Sequence, residues 1–170
     1  MGAKDHKEHA EKESRARCAI LTVTDSKTRE TDTSGHRAFE ILQKFGHTVV
    51  LHEIVPNDRK KLADAIERGL KEADLVLTVG GTGPSRRDLS VETVRAFVDK
   101  ELPGFGEMFR ALSVKEIGTA AILSRALLGV SSAGKILVAL PGSEGAVRLA
   151  LEDILVNEIK HLLWELRRYA

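Results

Sequence analysis

Cysteine is nearly absent from this sequence: Cys18 is the only one. A single thiol forms no intrachain disulfide, which fits a reducing cytoplasm rather than a disulfide-stapled secreted domain. No run approaches the roughly 18 consecutive apolar residues of a membrane-spanning helix. The opening residues, MGAKDHKEHA, are charged rather than apolar, so they do not read as a secretory leader. They begin Met-Gly, but His6 stands where a myristoylation signal needs Ser or Thr. Charge of one sign is lacking too. Lys and Arg number 26 against 25 Asp and Glu, a net charge of +1. That leaves no overall basic field for nucleic acid or a membrane surface. Side-chain amides are few: Gln43, Asn57 and Asn157. With 30% charged residues, that scarcity points to a heat-adapted source.

What is present suits a globular fold. The 170 residues are 42% apolar, enough for a single sizeable core. Residues 1–16 carry no aliphatic side chain beyond Met1 and three alanines and are expected to be a mobile charged tail; His6 and His9 there read as solvated. Residues 17–170 are expected to form a single α/β domain.

Strand and helix patterns alternate along that domain. RCAILTVTD has the length of a buried strand. Ser34 can cap a helix over 34–45, with Phe39, Leu42 and Phe45 at three-residue spacing and Gly46 as its stop. HTVVLHEIV is β-branched and reads as a second strand. Asp58 can cap a helix over 59–72, and DLVLTV is a third strand. Ser90 is expected to cap a helix over 91–100, and a further helix is expected over 105–116 after Pro103-Gly104. ALLGVSSAGKILVAL reads as two strands around a Ser-Ala-Gly turn, followed by a long helix over 143–166. Such alternation predicts a three-layer αβα fold around a mainly parallel sheet, the hairpin adding one antiparallel strand.

In open α/β sheets ligands bind beyond the carboxyl ends of the parallel strands. The loops there are TDSKTRETDTSG, PND, GGTGPSRRD and LPGS. Gly80, Gly81 and Gly83, with Thr82 between them, leave backbone N–H groups uncovered and free to converge on an anion. This is neither a Walker loop, since no G-x-x-x-x-G-K-[ST] occurs, nor a dinucleotide fingerprint, since Arg86 replaces the third glycine. Arg86 and Arg87 can neutralise phosphate. Asp88 beside them either binds Mg²⁺, which takes one or two carboxylates plus phosphate oxygens, or pairs with an arginine.

GGTGPSRRDLSVE is similar to the signature of the MogA/MoaB family of molybdenum cofactor biosynthesis proteins, also found in gephyrin and its plant counterpart. The resemblance covers about residues 17–160. It includes TDS after the first strand, the Asp-x-Ser-Gly element at Asp32, Ser34 and Gly35, PGFGEMFR, AILSRA and LPGS in order. EIGTAAILSRALLGV resembles the MoaB branch more closely.

That resemblance implies transfer of AMP from ATP to the terminal phosphate of molybdopterin, with Mg²⁺ as cofactor and pyrophosphate as product. It also implies hand-over to a molybdate-inserting partner and a homotrimer or homohexamer. Asp88 matches one catalytic aspartate and is the expected Mg²⁺ ligand. The other expected aspartate falls at Asn57, with Asp58 one residue later; Asp58 either serves or only caps the next helix. Gly80, Gly81, Thr82 and Gly83 match the phosphate loop, with Val79 where the family commonly has Ser or Thr. Asp25, Ser26, Ser34, Gly35, Arg87, Ser124, Pro141, Gly142 and Ser143 match positions lining the same phosphate and pterin pocket. Glu107 either bonds the pterin ring or forms a surface ion pair, and Phe105, Met108 and Phe109 are expected to pack.

No Ser-His-Asp or Cys-His pair stands in these motifs, so no protein nucleophile is expected, and His36, His47, His52 and His161 show no ligand spacing. Two alternatives remain. One is a non-catalytic molybdopterin-binding or scaffold protein. The other is a nucleotide pyrophosphatase resembling the CinA N-terminal domain, against which the GGTG and RD motifs argue.

Overall fold

Six strands form one sheet in the order β2-β1-β3-β6-β5-β4 in the computed structural model, which describes residues 15–168. They are β1 (Arg17–Val23), β2 (Thr48–Val55), β3 (Leu75–Val79), β4 (Lys100–Glu101), β5 (Leu127–Val130) and β6 (Ile136–Leu140). β1 pairs in parallel with β2 and β3, and β3 with β6. β5 runs antiparallel to both β6 and β4, so it is the one reversed strand, as the hairpin pattern predicted. Its turn closes where Ser131 N donates to Lys135 O and Gly134 takes a positive φ of 69°.

Helices cover both faces. One face carries α1 (Thr33–Lys44), α4 (Pro103–Ile117), α5 (Glu144–Glu152) and α6 (Ile159–Arg167), whose Ile41, Phe109, Val147 and Leu163 pack on Cys18, Ile20, Leu77 and Val138. The other carries α2 (Arg59–Glu72) and α3 (Ser90–Arg95), whose Leu62, Ile66 and Val94 pack on Ala19, Leu21, Val76 and Leu137. Alternate residues of β1 thus serve opposite cores, the period of two that a doubly covered strand requires. Cys18 lies wholly inside; burial first, and the Asp74 charge second, push its thiol pKa up to about 12, so it is an inert core residue.

α1 ends as predicted. Gly46 takes φ 86°, its N–H bonds Gln43 O, and His47 N–H bonds Leu42 O, which satisfies two carbonyls of the last turn. Its start differs from expectation. The cap is Asp32, which accepts from Gly35 N at 2.9 Å, and Ser34 is instead buried inside the first turn. Ser90 is also no cap. It begins the short α3, which ends at Arg95, and β4 occupies 100–101 where the helix was expected to continue. The long helix expected over 143–166 is broken into α5, a 3₁₀ turn at Leu155–Asn157 and α6. Ile154, Leu155 and Val156 are all buried. All three turn inward at the break, where Leu155–Asn157 takes the tighter 3₁₀ winding. Ala16, placed in the tail by composition, is buried and its carbonyl accepts from Thr48 N at 2.9 Å. The rest of that tail expectation, His6 and His9 included, falls on residues 1–14, outside the described residues.

Candidate functional site

β2 and β3 flank β1, so the chain passes from one side of β1 to the other and the loops after β1, β2 and β3 meet at the carboxyl edge. Gly80 and Gly81 turn the chain sharply there, with φ of 100° and 66°. A Cβ on Gly80 would stand 2.5 Å from the carbonyl oxygen of Val23, so no side chain fits. Gly142 approaches from the loop after β6, its virtual Cβ 3.2 Å from the Gly80 Cα. Ser34 fixes that loop by donating to Gly142 O at 2.6 Å. Ser143 caps α5 by accepting from Ala146 N.

A cleft of about 390 Å³ opens at this point. One wall is Gly80–Pro84, the floor is Pro141–Ser143 and the start of α5, and the far wall is α4 with the 3₁₀ segment at Gly118–Leu123. Phe109, Ile117, Leu123 and Leu149 make much of it apolar; Ser113, Glu116 and Ser124 add polar groups. The size is that of a small-molecule site.

The carbonyls of the glycine loop all turn away from the cleft. Gly80 O accepts from Ser90 Oγ at 2.6 Å, and Gly81 O from Ser90 N at 2.9 Å. Thr82 O and Gly83 O accept from Arg125 Nε at 2.9 Å and Nη2 at 2.7 Å. In a planar trans peptide the next N–H points opposite to its carbonyl. The N–H groups of Gly81, Thr82 and Gly83 are therefore directed to the cleft side, and none has an acceptor among the described residues. Neighbouring N–H donors left without an acceptor are the groups from which an anion-binding nest is built.

Carboxylates flank the nest. Asp88 Oδ2 accepts from Ser85 N at 3.0 Å and packs on Gly83, and its Oδ1 accepts no hydrogen bond among the described residues. No Asp88–arginine ion pair forms among the described residues; Arg87 pairs with Asp25 at 3.3 Å instead. Asp25 also accepts from Asn57 N at 2.9 Å and Asn57 Nδ2 at 3.1 Å. Those Asn57 bonds, and then the Arg87 charge, hold the Asp25 carboxyl below its ordinary value. Asn57 Oδ1 is buried without a hydrogen-bond partner, against the Gly81 turn. Asp58 does not join this group: its carboxylate caps α2 by accepting from Lys61 N at 2.9 Å.

Of the residues expected from sequence, Gly80–Gly83, Ser124, Pro141, Gly142 and Ser143 line the cleft, and Asp25, Arg87 and Asp88 lie around the loop. Ser26 is exposed in a turn with Thr24 and does not line the cleft. Gly35 lies beneath it, packed on the buried Asp32, whose Oδ2 accepts from Thr22 Oγ1 at 2.6 Å. Glu107 is exposed and outside the cleft; the acid that lines it is Glu116, paired with Arg148. Phe105 and Phe109 pack as expected, but Met108 is 53% exposed. Arg125 carries no signal in the local pattern, since its bond to Thr82 O spans 43 residues.

Residues 19–161 match the family described as "probable molybdopterin binding domain". Molybdenum cofactor biosynthesis protein B of Bacillus cereus is 43% identical over 171 residues, covering 99% of both chains. The Bacillus subtilis protein of that name is 40% identical over 99% of both. Among solved structures, a tungsten cofactor synthesizing protein MoaB from Pyrococcus furiosus superposes with a TM-score of 0.84 at 36% identity, covering 91% of this chain and 99% of that one. With the cleft at the strand edge, these similarities establish that the chain belongs to the molybdopterin-binding family of molybdenum cofactor biosynthesis proteins and is MoaB-like.

Proposed function

We propose that the protein transfers AMP from ATP to the terminal phosphate of molybdopterin, with Mg²⁺ as cofactor. The observation that carries this reading is the row of Gly81, Thr82 and Gly83 N–H groups directed to the cleft, with Asp25 and Asp88 beside it. A phosphate oxygen of the pterin attacks the α-phosphorus of ATP. The new P–O bond forms as the bond from the α-phosphorus to the bridging oxygen of the β-phosphate breaks, and pyrophosphate leaves with that electron pair. The loop N–H groups bind phosphate oxygens and stay in place as charge shifts, which is how a preorganised site lowers such a barrier. Phe109, Ile117 and Leu149 offer an apolar wall to a flat ring.

The oxygen donors of Asp88 and Asp25 suit a hard cation that takes one or two carboxylates and completes its shell with phosphate and water. Among the described residues no cluster of three or more Asp, Glu, His or Cys offers an all-protein cage. When bound, Mg²⁺ would neutralise phosphate charge during transfer. Asn57 orients Asp25 through two hydrogen bonds and so takes a positioning role at the place expected for the second aspartate.

A second reading, a binding or scaffold protein without transfer, is favoured by Asp58, which is engaged as a helix cap. Incubation with ATP, Mg²⁺ and molybdopterin separates the two. Adenylylated pterin and pyrophosphate are the expected products; tight pterin binding without either product would overturn the transferase reading.

The product then passes to a molybdate-inserting partner, and we place this work in the cytoplasm, which a lone buried Cys18 suits. Among the described residues no helix is long and apolar enough to cross a membrane. The proposed assembly is a homotrimer or homohexamer. Met108, Val114, Ile117, Ile122 and Leu123 are each more than half exposed along α4 and the 3₁₀ segment, an apolar face that a second copy would cover.

A further inference from the structure

Arg125 stands immediately after the 3₁₀ wall of the cleft, yet its guanidinium reaches the back of the opposite wall. Its Nε and Nη2 donate to the carbonyls of Thr82 and Gly83, which are consecutive in the glycine loop. Its Nη1 and Nη2 donate to the two oxygens of Glu92, on the helix that the loop leads into. Four hydrogen bonds thus use the planar fork in one geometry, which a lysine cannot reproduce. Both partners remain about one-third exposed, 32% for Arg125 and 40% for Glu92. An ion pair so exposed adds little to stability. Its geometric effect is larger. The Arg125 bonds fix the peptide planes that aim the Gly83 N–H at the cleft, and they set the distance between the loop wall and the Leu123–Ser124 wall.

We propose that Arg125, oriented by Glu92, is a positioning residue that sets the anion-binding geometry of the glycine loop. This rests on the phosphate-loop reading above. Arg125 does not touch the ligand; it acts through the backbone of Thr82 and Gly83. The carboxyl of Glu92 is held below its ordinary value chiefly by the Arg125 hydrogen bond, so the pair persists through the neutral range.

Calorimetric titration with inorganic pyrophosphate tests this on the full chain. Wild type is expected to bind, and Arg125→Gln to bind roughly tenfold or more weakly, the scale of losing charge-assisted hydrogen bonds, with a melting temperature within a few degrees. Arg125→Lys is expected to recover only part of the affinity, because an ammonium lacks the planar fork that meets both carbonyls and Glu92 at once. Wild-type affinity in Arg125→Gln, or a lower melting temperature with unchanged affinity per folded molecule, would overturn the positioning role alone. Wild type that does not bind pyrophosphate would overturn the phosphate-loop reading and this inference with it. Should Arg125→Gln fail to fold, Arg125→Lys and Glu92→Gln read the same affinity, and no loss in either would overturn the proposal.

Discussion

At the residue scale, two adjacent side chains divide the work expected of one. Asn57 sends its backbone and side-chain N–H groups to Asp25, whereas Asp58 spends its carboxylate on the first turn of α2. Asp58→Ala is therefore expected to lose about 1 kcal/mol of stability, which is about 2–4 °C in melting temperature for a domain of this size. Its turnover per folded molecule is expected to stay near wild type. Asn57→Ala is expected to do the reverse, lowering adenylyl transfer while sparing the melting temperature. If Asp58→Ala were the variant that lost transfer, the cap assignment would be insufficient. Asp88→Asn is the cleaner probe of the other carboxylate, since the amide oxygen still accepts from Ser85 N. Transfer is expected to fall roughly 100-fold, the scale of losing one preorganised charge-stabilising group, while pterin affinity is retained. Wild-type turnover in Asp88→Asn would remove Asp88 from the reaction.

At the scale of elements, the loop after β3 decides the site because it has room for no side chain. Gly80→Ala meets the Val23 carbonyl at 2.5 Å and forces a φ of 100° on a residue with a Cβ. The conformational term alone is about 1–2 kcal/mol, and the clash adds to it. Denaturant unfolding is expected to show the loss, together with weakened pyrophosphate binding; an unchanged midpoint would contradict the described turn. The turn itself was legible in the sequence, because glycines ending an apolar strand permit the positive φ values found there. So were five of the six strands, β4 excepted, and α2, whose apolar period and Asp58 cap are local signals. The break between α5 and α6 was not, since the apolar spacing of 143–166 is helical on average and no glycine or proline between 146 and 167 marks a stop. Ser34 and Ser90 looked like caps for a local reason as well. Their hydroxyls instead donate to Gly142 O and Gly80 O, 108 and 10 residues away, bonds that shape the cleft and have no sequence signature. Glu116 and Arg125 escaped notice on the same ground: their place in the site depends on how α4 and the 3₁₀ segment lie across the sheet edge.

Across the whole molecule, two properties follow from burial. His47 and His52 are held below their ordinary pKa of 6.5 by desolvation first; in His52 the neighbouring Asp32 opposes part of that. Each is less protonated folded than unfolded, so below pH 6.5 the unfolded chain binds more protons and stability falls as pH drops. Calorimetry across pH 5 to 8 is expected to show a melting temperature that declines on the acid side; a rise there would contradict the burial of both rings. The exposed apolar face on α4 predicts self-association. Sedimentation at micromolar concentration is expected to give three or six chains, and a single-chain species would reject that interface. The proposed transfer requires the cleft between the glycine loop and the α4 wall to be the molybdopterin site. A crystal structure of the chain with molybdopterin tests it most directly. The pterin phosphate is expected within hydrogen-bond distance of the Gly81, Thr82 and Gly83 N–H groups, and the ring along Phe109 and Ile117. A pterin seated instead in a separate pocket lined by Arg95, Glu101 and Arg110, with the glycine loop empty, would contradict it.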